Sequence, residues 1–125
     1  FWFPDAPPAA PGIASAEDMP GRGRLLSAHG SMNHLAFDVP ANKFDEYVDK
    51  LKEKGVDVSV VLNHDDSEST IAAELHPGVF VRSVYFKDPD GIVLEFAAWT
   101  KTFGPEDVLH PPARANGERA QPVRT

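Results

Sequence analysis

Val81-Arg82-Ser83-Val84-Tyr85-Phe86-Lys87-Asp88-Pro89-Asp90-Gly91-Ile92-Val93-Leu94-Glu95-Phe96-Ala97-Ala98-Trp99 reads as two apolar strands joined by a tight turn. Asp88 opens the turn, Pro89 supplies φ near −65°, and Gly91 stands where a left-handed residue is needed. A three-residue loop with Gly91 as its bulge pairs Asp88 with Ile92 and sets Tyr85 opposite Glu95. Their side chains then share one face, with Cβ atoms about 5 Å apart. Glu95 interrupts a near-continuous apolar run, and a buried carboxylate is costly unless a cation, a metal or good hydrogen bonds compensate it. Arg82 alternates to the other face. Lys87 lies on the Glu95 face, diagonal to it, so a plain Lys87–Glu95 ion pair is the structural alternative.

The 125 residues carry a net charge of −7, with 12 Lys and Arg scattered along the chain. That size supports one modest core, and the dispersed basic residues argue against nucleic acid or an anionic membrane as partner. The chain has no Cys, which excludes disulfides, thiolate metal ligands and a Cys nucleophile. No apolar run is long enough to span a bilayer and no signal-peptide pattern stands at the N-terminus, so a cytoplasmic setting is expected.

Residues 1–30 are rich in Pro, Ala and Gly and read as an arm, with Phe1-Trp2-Phe3-Pro4 resembling the last strand of a preceding unit in a longer protein. Met32 to Val39 alternates two faces, with Leu35, Phe37 and Val39 on one and His34, Ala36 and Asp38 on the other. A helix is expected from Asn42 to Lys54: Phe44, Tyr47, Val48 and Leu51 recur at helical spacing, Asn42 and Asp45 form a capping box, and Gly55 is the C-terminal cap. Glu46 and Lys50 add an i,i+4 pair. Val56 to Leu62 is a β-branched run and the expected second strand. Asn63 to Gly78 reads as a long polar loop holding His64 in solvent. Residues 101–125 form a Pro-rich polar tail, expected to be disordered. The folded part, 31–100, is thus an α+β unit of order βαβββ. Its helix should pack on Phe80, Val84, Phe86, Ile92, Leu94 and Phe96, and the opposite face, with Val81, Val93, Ala97 and Trp99 around the polar residues, should lie open.

This order, with His34 in the first strand and Glu95 in the last, resembles the vicinal oxygen chelate superfamily of glyoxalase I, bleomycin-resistance proteins and extradiol dioxygenases. The sharpest likeness is to the extradiol dioxygenase pattern: His76, a spacer, Val84-Tyr85, two residues, Asp88-Pro89, one residue, Gly91, a short spacer and Glu95. Glu74, two residues before His76, departs from it.

The resemblance implies a half-module that pairs with a second βαβββ unit, in the same natural chain or a second copy. It also implies Fe(II), alternatively Mn(II), held by His34, Glu95 and one His from the other module. Two imidazoles and a carboxylate on one face of a metal leave adjacent positions for substrate and O₂. His76 and Tyr85 would then be the catalytic residues around the metal, and His29, five residues before His34, is the only nearby candidate for a further acid/base His. The implied reaction is opening of a catechol-like aromatic ring by O₂. A glyoxalase I-like isomerase or lyase on Zn, Ni or Co, and a metal-free bleomycin-resistance-type binder, are the alternatives; His110 belongs to the tail.

Overall fold

The structure, a computed structural model, describes residues 34–67 and 69–107. Four strands, β1 (Leu35–Asp38), β2 (Leu62–His64), β3 (Val81–Lys87) and β4 (Val93–Trp99), form one sheet in the order β1-β4-β3-β2. One helix, α1 (Phe44–Glu53), follows a single 3-10 turn at Ala41–Lys43. β1 runs parallel to β4, which requires a crossover, and the helix supplies it; the other pairings are antiparallel. This is the α+β half-module expected, with the sheet unclosed.

The β3–β4 turn sets the register of everything near the site. Asp88 Oδ1 accepts the amides of Asp90 at 3.0 Å and Ile92 at 2.8 Å, and the Asp88 amide reaches the Ile92 carbonyl at 3.0 Å. Gly91 adopts φ 87, a conformation any Cβ would resist. Tyr85 pairs with Glu95 as a consequence.

The helix side of the sheet holds the main core: Val39, Phe44, Val48, Val58, Val84, Phe86 and Ala98, with Tyr47, Leu51, Leu94 and Phe96 packed against it. Two residues expected there are elsewhere. Ile92 is exposed beside the turn, and Phe80 packs on Phe103 instead.

Four further expectations need correction. Asn42 makes no capping bond, because the chain enters the helix through the 3-10 turn, and Asp45 turns outward to pair with Arg82 at 2.9 and 3.2 Å. The second strand starts at Leu62 rather than Val56. Val58 makes one isolated bridge to Phe86, and then the Ser59 hydroxyl takes the Tyr85 amide at 2.9 Å, a side chain replacing the ladder bond. That displacement carries Asn63 and His64 into β2. Lastly, residues 101–107 fold back on the sheet: Phe103 packs on Trp99 and Phe80, Lys101 pairs with Asp107, and Asp107 Oδ2 accepts the Gly104 amide at 2.7 Å. The expectations for 1–30 and 108–125 fall outside the described residues.

Candidate metal centre

Strand parity decides which side chains meet. Ala36 pairs with Glu95, and Glu95 with Tyr85, so these three occupy one row across the face away from the helix. His34, two residues before Ala36, falls on the same face. Its Nε2 lies 2.6 Å from Glu95 Oε2, and its ring meets Tyr85 edge-to-face with centroids 5.3 Å apart. Glu95 is thus paired with His34; Lys87, on the same face beside Val93, is not its partner.

The expected openness of this face does not hold at its centre. Glu95 is 6% exposed, Tyr85 7%, Val93 3% and Ser83 1%, whereas Trp99 is 53% exposed at the end of the strand. Leu62, Tyr85 and Val93 form a second small apolar cluster here. Burial pushes the Tyr85 phenol well above the ordinary tyrosine pKa. The Glu95 carboxylate, by its charge and as a hydrogen-bond acceptor, pushes the same way. The phenol therefore stays protonated and can donate to a carboxylate or a substrate oxygen across the neutral range.

Ser83 has no role in the sequence reading, yet it is buried on this face with its Oγ lacking a hydrogen-bonded partner. Its position two residues before Tyr85, on the same face, was the available signal.

His76 is not brought to this group. Its Nε2 contacts Asp65 Oδ2 at 3.0 Å and its Nδ1 accepts the Gly78 amide at 3.1 Å. With Ala41, Arg82 and Thr100 it lines a cavity of about 360 Å³, and Arg82 alternates away from Tyr85. The ring is on the helix side of the sheet. His64, expected in a solvated loop with no access to the sheet face, instead ends β2, where it pairs with Val81. It shares the face of Tyr85 but lies four residues farther along, about 13 Å. Its Nδ1 contacts the Thr70 carbonyl at 3.2 Å. His29 and His110 fall outside the described residues.

An imidazole nitrogen and a carboxylate oxygen aimed at each other from neighbouring strands are donors that suit a divalent metal. Among the described residues no group of three His, Cys, Asp or Glu could hold one, so the fit extends to two ligands.

The Glyoxalase/Bleomycin resistance protein/Dioxygenase superfamily model matches residues 1–96. The chain belongs to this superfamily. A glyoxalase/dioxygenase from Nostoc punctiforme is a solved structure similar to it, at 23% identity and a TM-score of 0.44 over 77% of this chain. The chain spans 50% of that protein's length. Members of the superfamily commonly bind divalent metals and include both enzymes and non-enzymes. No helix among the described residues is long and apolar enough to cross a membrane.

Proposed function

We propose that this chain is one module of an extradiol-type dioxygenase, which opens a catechol-like ring with O₂ at a divalent metal, Fe(II) in the first instance. The observation that carries the reading is the contact between His34 Nε2 and Glu95 Oε2 at 2.6 Å, with Tyr85 against both. A carboxylate buried in an apolar strand is costly unless a cation, a metal or good hydrogen bonds compensate it, and a metal held between His34 and Glu95 would do so.

His34 and Glu95 would hold the metal, and a third ligand would come from a second βαβββ module, in the same natural chain or from a second copy. A divalent ion there supplies a Lewis acid to which both catechol oxygens can bind. The chain's own contribution is positional. Glu95 offsets positive charge, and the burial around Val93 and Tyr85 keeps water from its carboxylate. Tyr85 keeps its proton and offers it as a hydrogen bond to a substrate oxygen. His76 would have to leave Asp65 and cross to the other sheet face to act here, so the reading rests on His34, Glu95 and Tyr85.

One observation favours the metal-free binding protein as the second reading: the His34 imidazole, 2.6 Å from Glu95, gives the buried carboxylate a polar partner from within the chain. The two readings separate in an anaerobic Fe(II) titration of the 125-residue chain followed by oxygen uptake with catechol. The dioxygenase reading expects Fe(II) retention, lost in His34→Ala and Glu95→Ala and kept in His64→Ala. Where the second module is a second copy, it also expects oxygen uptake rising more steeply than protein concentration; where it lies in the same natural chain, uptake is expected only of a longer protein that includes it. Catechol binding with neither metal retention nor uptake would favour the binding protein, and equal metal loss in all three variants would mean surface binding.

A further inference from the structure

The cavity beside His76 lies on the helix side of the sheet, away from His34 and Glu95, and the metal reading gives it no role. At about 360 Å³ it falls within the size range of small-molecule sites. Buried Val79 and exposed Ala41, Leu75 and Pro77 give it a mostly apolar lining.

The polar groups that line it differ in what they have left to offer. The Thr100 hydroxyl donates to the Val79 carbonyl at 2.6 Å, and both His76 nitrogens are engaged, one by Asp65 and the other by the Gly78 amide. Arg82 still has a donor to give. Asp45 accepts one bond from each terminal nitrogen, at 2.9 and 3.2 Å, while Nε is buried with no hydrogen-bonded partner. A buried donor left unpaired is costly, and an acceptor that reaches it recovers that cost. The guanidinium is held against the Phe44 ring at 4.7 Å with its side chain 17% exposed, whereas Asp45 is 74% exposed and grips it only as weakly as a surface pair can. A carboxylate entering the cavity can thus displace Asp45 and, with a small turn of the guanidinium, take Nε and one terminal nitrogen together, the two-pronged contact that arginine gives a carboxylate.

We propose that this cavity is a second ligand site, for a small monocarboxylate with an apolar body: the carboxylate on Arg82, the body against Val79, Leu75 and Pro77. Asp45 is the built-in competitor for the same guanidinium. Binding exchanges one carboxylate for another, so the net gain comes from the apolar contact and from Nε, and the affinity is accordingly millimolar. The site shares no residue with the His34, Glu95 and Tyr85 group and does not depend on a metal there.

The test titrates phenylacetate, phenylacetamide and acetate into the metal-free 125-residue chain at neutral pH and follows the chemical shifts of the labelled protein. Phenylacetate is expected to bind about tenfold tighter than its neutral amide, as a hydrogen bond to a charged group would give, and acetate, which has no apolar body, should bind more weakly than phenylacetate. Asp45→Asn should tighten phenylacetate by up to about fivefold, the strength of an exposed pair removed as competitor. Arg82→Gln should weaken it by about tenfold or more. Ala41→Leu, which narrows the cavity and leaves the guanidinium in place, should weaken it as well. Asp45 and Ala41 are exposed, so their variants carry the test even where thermal melts show that Arg82→Gln does not fold. Equal affinity for acid and amide, an Asp45→Asn variant that binds no tighter, indifference to Ala41→Leu, or no binding of phenylacetate overturns the proposal. Loss of binding in Glu95→Leu with binding kept in Arg82→Gln also overturns it, because the ligand would then sit on the opposite face.

Discussion

Replacing Glu95 by Leu, alone and with Tyr85→Phe, tests whether the buried carboxylate serves the fold or a ligand. Glu95 is 6% exposed and Tyr85 7%, so both substitutions act in a nearly dry environment. A buried Leu gains about 1.5–3 kcal/mol over an exposed one. Against this, the Tyr85 hydroxyl loses its acceptor, at a cost of about 1–3 kcal/mol. The His34 side chain, 29% exposed, can turn its released nitrogen to water. Glu95→Leu should therefore stay within about 1 kcal/mol of the parent, because the gain and the stranded hydroxyl nearly cancel. Adding Tyr85→Phe removes the stranded hydroxyl, and the double variant should exceed the parent by about 1–3 kcal/mol, as when buried ion pairs are replaced by apolar groups. Urea denaturation reads this as a rise of about 1–2 M in midpoint at unchanged slope. The same protein should retain no Fe(II). A double variant less stable than the parent by about 2 kcal/mol or more would show that the trio holds the fold together, and the argument from a costly carboxylate would fail.

Tyr85 also predicts a pH dependence. In the unfolded chain the phenol ionises near pH 10, whereas the folded pKa is raised, so above pH 10 the native state binds more protons and stability must fall as pH rises. The contribution is complete below pH 10 and is lost as pH climbs through the folded pKa. Urea midpoints from pH 8 to 11 should fall more steeply for the parent than for Tyr85→Phe; parallel slopes would refute the assignment. On the helix side, Asp45→Ala should cost under about 1 kcal/mol because Asp45 is 74% exposed. Arg82→Ala should cost more, about 1–2 kcal/mol, since the guanidinium lies over the Phe44 ring at 4.7 Å and its side chain is 17% exposed. Equal urea midpoints for the two variants would assign the stability to the ion pair rather than to the stacking.

Strand parity and turn chemistry explain what the sequence made legible. Asp88-Pro89-Asp90-Gly91 admits one register, and that register puts Tyr85 opposite Glu95 whatever the rest of the chain does. The alternation from His34 to Asp38 likewise places the imidazole and Asp38 on the Glu95 face. Where a side chain substitutes for a backbone partner, the pattern misleads. Ser59 sits inside a β-branched run, yet its hydroxyl takes the Tyr85 amide and pushes the regular ladder three residues downstream to Leu62. His64 moves from loop to strand for that reason.

His76 marks the limit of spacing as an argument. Its distance along the chain from Tyr85 and Glu95 fits the dioxygenase pattern, but a loop residue has no period that assigns it to a sheet face. Its direction is instead fixed by Asp65, eleven residues away, whose carboxylate holds Nε2 while the Gly78 amide holds Nδ1. The close approach at Gly78 reinforces the choice: a Cβ there would come within 2.9 Å of the His76 ring, so the glycine admits this conformation. Parity therefore locates Tyr85, Glu95 and Asp38 from sequence alone, whereas the side of the sheet on which His76 acts is decided by a contact that no spacing rule contains.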